Sequence, residues 1–254
     1  MSNADTPNDP RADGPSQDSA VSLRHQRYYL ETITFKVEDC IFKVPRYHFE
    51  HSSDIFAQMF TFPSRTDVPC EGQTDENPVV LGGIHTAEFE ALLNVLYPLN
   101  YPTLLSNEEG PNWNTKEDWI SVLKLATRWN FLAARKSAID RLRASGDIDD
   151  IELILLARQY DIADWLRAGY TNLAQRAERI SEEEAQKIGW DTAYRLGHMR
   201  ELGLQDRHSK QTLTSGVRHA GKFVNVVFEA EMKQAEWASA RYLSTPTLWP
   251  SPNR

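Results

Sequence analysis

Apolar and polar residues alternate one by one from residue 32 onward, which is the period of a β-strand with one buried face. The apolar positions are Ile33, Phe35 and Val37, and the polar positions are Thr32, Thr34 and Lys36. The turn Glu38-Asp39 separates this strand from a second one at residues 40–44. The pattern therefore predicts a β-hairpin with one half-buried face.

Helical spacing replaces this alternation after Pro45. Because the fixed φ of proline suits the first turn of a helix, we predict short helices at residues 46–50 and 53–60. Residues 62–78 contain prolines, Gly72 and several acids without periodicity, which predicts an exposed loop.

A short buried strand is predicted at residues 79–81, followed by a helix that Thr86 opens and that Pro98 stops. The apolar face of this helix would hold Phe89, Leu92, Leu93, Leu96 and Tyr97.

The second half of the chain has helical periodicity throughout. Thr115 is followed three residues later by Asp118, a pair that resembles a capping box, and Ser181 with Glu184 forms a full one. The first of these helices would bury Trp119, Val122, Leu123, Ala126 and Trp129. Further helices are predicted at residues 133–142, 151–159, 164–176 and 181–202. The last would bury Ala185, Ile188, Thr192, Leu196 and Met199.

Residues 205–222 are polar and predict a linker, and a final amphipathic helix follows. Its apolar residues would be Phe223, Val224, Val227, Phe228, Ala235 and Ala238. Two roles are open at this point: the helix docks on the helical half of the chain, or its apolar face binds another protein.

Composition and charge limit the classes of partner. The 254 residues, 41% of them hydrophobic, can bury a sizeable core, and the net charge of −8 opposes broad attraction to nucleic acid or anionic membranes. Two cysteines are too few for a disulfide framework, and no apolar run is long enough to cross a bilayer. We therefore expect an intracellular protein, cytoplasmic or nuclear, that binds neither nucleic acid nor membranes.

Local basic clusters do not change this expectation. One precedes the first strand and the other lies around a helix end, where cations complement the macrodipole in the last turn. Their members are Arg24, His25 and Arg27, and Arg135, Lys136, Arg141 and Arg143.

Catalytic motifs are missing from the sequence. It contains no Gly-x-Ser-x-Gly and no phosphate-binding glycine loop, and the pair Gly82-Gly83 indicates a turn. Zinc-binding residue types occur at Cys40, His48, His51 and Cys70. Neither cysteine has a second cysteine at the spacing of zinc sites, so we predict no enzyme activity, no metal and no cofactor.

Aromatic residues are better clues to function. Trp119, Trp129 and Trp165 lie in apolar helical patterns and are predicted core residues, whereas Trp249 stands in a proline-rich tail. An exposed aromatic in such a tail is either a recognition peptide or an end without a function, and the sequence favours neither.

Several motifs between residues 31 and 98 resemble, in order, those of the BTB/POZ domain, an α+β interaction fold in which a small sheet caps a cluster of helices. They are an opening hairpin, a Phe-Ser-Phe-apolar-Phe block, and a strand followed by F-x-x-L-L-x-x-L-Y. The residues that carry the resemblance are Phe35, Phe42, Phe49, Ser53, Phe56, Met59, Phe60, Leu81, Phe89, Leu92, Leu93, Leu96 and Tyr97. The variant is similar to BTB proteins of mushroom-forming fungi.

The resemblance implies an α+β fold with an all-α extension. The expected division is a disordered tail at 1–20, a BTB/POZ domain at 21–145, a helical extension at 146–204, a linker at 205–222, a C-terminal helix at 223–242 and a tail at 243–254.

The function that the resemblance implies is non-catalytic protein–protein interaction: self-association as a homodimer, or recruitment of partners as a scaffold or ubiquitin-ligase adaptor on a cullin. The alternative is a transcription or chromatin-associated regulator. Two departures weaken particular features: Pro45 precedes Arg46 where many members have a histidine, and the loop after Phe62 lacks the apolar-x-Glu motif that some members use on cullins. The residues that bind a partner are unknown at this stage.

Overall fold

A computed structural model describes residues 23–25, 29–61, 71–98, 115–209 and 223–243, and within these ranges the fold is mixed α+β. Strands β1 (Thr32–Val37), β2 (Cys40–Pro45) and β3 (Val79–Val80) form a sheet in the order β2-β1-β3. β1 pairs antiparallel with β2 and parallel with β3. The predicted hairpin is confirmed.

Helices make up most of the remaining described chain. The first half contains α1 (Tyr47–Ser52), α2 (Asp54–Thr61), α3 (Thr86–Leu96), α4 (Lys116–Arg128) and α5 (Leu132–Ser145). The second half contains α6 (Asp150–Gln159), α7 (Ala163–Gln175), α8 (Glu182–Ile188), α9 (Trp190–Ser209), α10 (223–227) and α11 (Glu229–Ala240). Among these helices none has the length and apolar composition needed to span a membrane.

Two residues of the sheet differ in burial from what the alternation predicted. Thr34, expected on the polar face, is fully buried, and its amide donates to the Gly72 carbonyl at 2.8 Å. Val80, expected to be buried, is 65% exposed because β3 is a two-residue strand whose second side chain points away from the core.

The predicted exposed loop at 62–78 lies partly outside the described residues. In its described part, Gly72 is buried, with φ of +84°, and a Cβ there would lie 2.9 Å from side-chain atoms of both Ile33 and Val79. Gly72 also donates to the Asn77 carbonyl at 2.7 Å and packs against β1, while residues 71 and 73–76 are exposed as predicted.

Both capping motifs predicted from the sequence mark the start of a helix. Thr115 Oγ1 accepts from the Asp118 amide, and Ser181 Oγ accepts from the Glu184 amide, which confirms both capping motifs. Gly146, with φ of +72°, ends α5 at Ser145, three residues beyond the predicted end at 142.

The predicted helix at 181–202 is wrong as a single element. Gly189, with φ of +95°, separates α8 from α9, and α9 then continues to Ser209 into the predicted linker. The predicted stripe is nevertheless correct, since Ala185, Ile188, Thr192, Leu196 and Met199 are all buried.

Arg135 does not have the role that its place in a basic cluster suggested. Arg135 lies in the first turn of α5, where the helix macrodipole disfavours a cation, and it is 4% exposed. Its guanidinium donates to the carbonyls of Tyr160 and Asp161, at 2.6 and 3.3 Å, and therefore ties α5 to the loop before α7. Burial lowers the pKa of Arg135.

The final helix docks within the chain, which is the first of the two roles left open. Val224, Phe228 and Met232 are buried, whereas Phe223 is 40% exposed. One continuous hydrophobic core joins these residues to the sheet and to the intervening helices.

Gly169 allows α6 and α7 to approach closely. A Cβ at residue 169 would lie 2.6 Å from Ile154 Cγ1 and 3.2 Å from the Asp150 carbonyl oxygen. By contrast, a Cβ at Gly197, which also lies inside a helix, would have no neighbour within 4 Å.

These two helical glycines give a matched test of the packing. We predict that Gly169→Ala lowers the free energy of unfolding by about 1–3 kcal/mol through overpacking, whereas Gly197→Ala raises it by roughly 0.5–1 kcal/mol through helix propensity. Urea unfolding followed by circular dichroism measures both. Equal effects of the two substitutions would contradict the close packing of α6 and α7.

Candidate interaction surface

A cluster of aromatic rings lies under the sheet and packs together the elements of the first half of the chain. Phe35 on β1 has its ring centroid 4.7 Å from that of Phe49 and 5.5 Å from that of Phe89. The Phe56 ring lies 4.9 Å from Phe49 and 5.5 Å from Trp129. All of these rings are buried, and their tilted or edge-on contacts are the favoured arrangements of aromatic pairs.

The thirteen residues that carry the sequence resemblance all contribute to the interior. Seven are buried: Phe35, Phe49, Ser53, Phe56, Phe89, Leu92 and Leu96. The other six are partly buried and pack against the core: Phe42, Met59, Phe60, Leu81, Leu93 and Tyr97. These residues therefore hold the fold together, and a binding surface has to be sought among other residues.

Ser53 is the one polar member of this set. Its hydroxyl donates to the Trp129 carbonyl at 2.5 Å and accepts from the Phe56 amide at 3.2 Å. A serine hydroxyl can do both at once, so Ser53 caps the start of α2 and fastens it to the end of α4.

Glu38 attaches the hairpin turn to α3. With φ of +52°, Glu38 directs its carboxylate to the start of α3, where it accepts from the Thr86 amide at 2.9 Å and the Thr86 hydroxyl at 2.8 Å. His85 Nδ1 lies 2.8 Å from the same carboxylate. These hydrogen bonds, with that of the Thr86 amide first, lower the pKa of Glu38 to about 2.

Pro45 and α1 form an aromatic corner at the other end of the hairpin. The Tyr97 hydroxyl donates to the Pro45 carbonyl, and burial raises the pKa of Tyr97 to about 12. The His48 ring lies 5.0 Å from the Tyr97 ring, and burial lowers the pKa of His48. Tyr47 stacks on His51 at 4.4 Å, but its side chain is 51% exposed.

Several exposed apolar residues of this half lie on or beside the sheet, whereas the exposed Ile55 lies on α2. The pairing register places Lys36 between Ile41 on β2 and Val80 on β3, so these two exposed side chains share the outer face of the sheet. The Arg46 amide donates to the Glu31 carbonyl at 2.8 Å, which brings the segment ending at Leu30 beside the start of α1. We call Tyr29, Leu30, Ile41, Tyr47 and Val80 the hairpin surface; each is between 43% and 65% exposed.

The edge strand β2 borders this surface. Its outer edge forms no strand pairing among the described residues, and Pro45, its last residue, is a type that edge strands tolerate. Exposed apolar side chains beside an open strand edge are features that can bind another protein.

Metal chemistry has no arrangement to support it in the part of the chain that the structure describes. No group of three or more His, Cys, Asp or Glu residues there is placed to hold a metal ion. Of the four residues considered for zinc, Cys40 is exposed at the start of β2, His48 and His51 lie on α1, and Cys70 lies outside the described residues. Trp249 lies outside them as well.

Comparison with models of known protein families gave no match, and a search of curated proteins gave no significant match. The class that the structure itself defines is mixed α+β, with a three-stranded sheet beside helices.

Sequence reasoning missed the residues that attach one element to another. Glu38 was identified only as a turn residue, although its position directly after a strand and its charge would fit a helix N-terminus. The hairpin surface was missed because its members have the same residue types as the core. A single sequence does not distinguish an exposed Leu30 from a buried leucine.

The carboxylate of Glu38 makes a specific pH dependence testable. Because its pKa in the folded protein lies below the ordinary value of 4.5, Glu38 stabilises the fold above that pH and loses this effect as the pH falls towards 2. We predict that Glu38→Gln lowers the melting temperature at pH 7 and weakens its decrease between pH 4.5 and 2.

Glu90→Gln provides the control, since Glu90 is an exposed acid in the second turn of α3. Melting curves from pH 2 to 7 measure all three proteins. The role of Glu38 would be refuted if both glutamine variants followed the wild-type pH dependence.

Proposed function

We propose that the chain is a non-catalytic protein–protein interaction module of BTB/POZ type, which uses the hairpin surface to associate with a second copy or to recruit a partner. The observation that carries this proposal is the contrast within one small unit. Its phenylalanines form a buried cluster, while Leu30, Ile41 and Tyr47 remain exposed beside an open strand edge.

The arrangement of elements supports the same proposal. The sheet covers one side of the helices α1 to α3, and the end of α4 closes the aromatic cluster through Trp129. A small sheet over a helical cluster is the arrangement that the sequence resemblance implies. Two polar contacts of this unit, at Ser53 and Glu38, are occupied by capping roles.

Exposed aromatic and aliphatic residues contribute to binding in different ways. Tyrosine is enriched among the residues that contribute most of the energy of an interface, and aliphatic side chains contribute through the apolar area that they bury. Ile41 and Val80 lie in strands and Tyr47 lies on α1, so these three residues need little reorganisation when a partner binds.

Sedimentation velocity of the full chain tests self-association. We predict a concentration-dependent dimer. Its dissociation constant should rise about tenfold or more in Leu30→Lys and in Tyr47→Lys, because each substitution removes an apolar contact and buries a lysine charge in the interface. Leu155→Lys is the control, because Leu155 is an exposed leucine of α6 outside the hairpin surface. A wild-type chain that stays monomeric at tens of micromolar would exclude self-association.

Partner recruitment has a separate test. Proximity labelling with the full chain and with Leu30→Lys should give a set of partners that the substitution removes and that Leu155→Lys retains. Recovery of a cullin in that set would support the adaptor role, and its absence from all three samples would exclude that role.

A further inference from the structure

The C-terminal segment, residues 223–243, binds the rest of the chain in the manner of a helical ligand. Its buried side chains are Val224, Phe228 and Met232, spaced by four residues on one stripe. The helical hydrogen bonds continue across the turn at Phe228: its amide donates to the Val224 carbonyl at 2.9 Å, and the Met232 amide donates to the Phe228 carbonyl at 2.8 Å. Anchors at this spacing are typical of an amphipathic helix in a groove.

The central anchor contacts a single aromatic residue of the helical half. Phe228 stacks on Tyr170 of α7, with ring centroids 4.3 Å apart and an interplanar angle of 30°. The Tyr170 hydroxyl donates to Glu231 of the segment at 2.9 Å. One residue of α7 thus recognises both an aromatic ring and an acid three positions further along the segment.

Arginines surround this aromatic contact and meet acids of the segment. Arg158 on α6 donates to Glu231 at 3.0 Å, and Arg167 on α7 donates to Glu236. Arg195 on α9 donates to the Val227 carbonyl at 3.4 Å. We call Arg158, Asp161, Arg167, Tyr170 and Arg195 the C-terminal docking site. The charges of site and segment are complementary.

The end of the segment is held by the loop before α7. Ser239 Oγ donates to the Asp161 carbonyl at 2.5 Å and accepts from the Ala163 amide at 3.0 Å. Arg241 forms an ion pair with Asp161 at 2.5 Å. These contacts are partly exposed, so each contributes modestly to the docking.

Bonds within the helical half also hold the docking site. Besides its bond to Glu231, Arg158 donates to the Ile188 carbonyl at 2.6 Å and to the Thr192 hydroxyl at 2.9 Å. α6 and α7 pack directly on each other at Gly169. The helices therefore position Arg158 through contacts that do not involve the segment.

The connection is long enough for the segment to leave. Thirteen residues, 210–222, join the end of α9 to the segment. A chain of this length can span roughly 45 Å when extended, so the segment can leave its site while the helices stay folded. Tethering also gives the segment an effective concentration in the millimolar range, which keeps the site occupied.

We propose that the C-terminal segment is a built-in ligand that covers a helix-binding site, and that a partner protein occupies this site with an amphipathic helix of the same chemistry. The partner helix carries apolar anchors at i, i+4 and i+8, of which the second is aromatic, and acids at i+7 and i+12, as Val224, Phe228, Met232, Glu231 and Glu236 do here. Such a helix fits the site because its two acids are complementary to Arg158 and Arg167, which pair with Glu231 and Glu236 here. This site is independent of the hairpin surface.

The probe for this site is a fluorescent synthetic peptide of residues 223–243, titrated into full-length chains and followed by anisotropy. A chain with Phe228→Ala and Glu231→Arg has a weakened segment and should bind the peptide at least tenfold more tightly than wild type, because the tethered competitor is lost. The same peptide with Glu231→Arg should bind at least tenfold more weakly. Equal binding of the unmodified peptide to both chains, or no binding to the weakened chain, would overturn the proposal.

A charge exchange tests the pairing of Arg167 with Glu236. Adding Arg167→Glu to the weakened chain should make it prefer a peptide with Glu236→Arg over the unmodified peptide. Leu30→Lys should leave every affinity unchanged, which separates this proposal from the proposed function. Loss of peptide binding in Leu30→Lys would show that the docking site depends on the hairpin surface, contrary to the proposal.

A second measurement covers the case in which the weakened chain does not fold. A protease site replaces residues 213–218 in the otherwise unchanged full chain, which is cut after purification. The released segment should then exchange for labelled peptide while the helices remain folded by circular dichroism. Failure to exchange, or unfolding when the segment leaves, would show that the segment is an integral part of the fold.

Discussion

The contact between Phe35 and Phe49 is the interaction on which the first half of the chain depends. Both rings are fully buried, and around them meet β1, α1, α2 and α3. Removing either ring would leave a cavity bordered by four elements, and such losses typically cost about 3–5 kcal/mol, a large share of the stability of a domain. The hairpin surface keeps its shape because these rings hold the sheet against the helices.

Polar contacts also join elements that are distant in the sequence. Ser53, Glu38 and Arg135 each satisfy backbone groups of a distant element: the Trp129 carbonyl, the Thr86 amide and the Tyr160 carbonyl. An unsatisfied backbone group at a buried helix end is costly, so these bonds determine where elements meet rather than adding much net stability. The same principle operates at Arg158, which joins α6 to both α8 and α9.

Features that depend on neighbouring residues in the sequence were predictable, whereas features that depend on tertiary packing were not. Ser181 and Glu184 lie one turn apart, so their capping box was visible in the sequence. The break at Gly189 was not, because a glycine is tolerated within a helix and only the packing of α8 and α9 decides its conformation. Thr34 was assigned to the exposed face for the same reason: a turn around Gly72, distant in sequence, pairs with its strand.

The two proposed surfaces differ in what binding would require. The hairpin surface is open, so a partner pays only for its own ordering and for the loss of free motion on association. The docking site is occupied, so the apparent affinity of a partner helix is reduced by the fraction of chains in which the C-terminal segment has left. Any change that weakens the contacts of Glu231 with Arg158 and Tyr170 raises that fraction and strengthens binding in proportion. Binding at the docking site is therefore adjustable through the segment alone, while the hairpin surface has no such built-in competitor among the described residues.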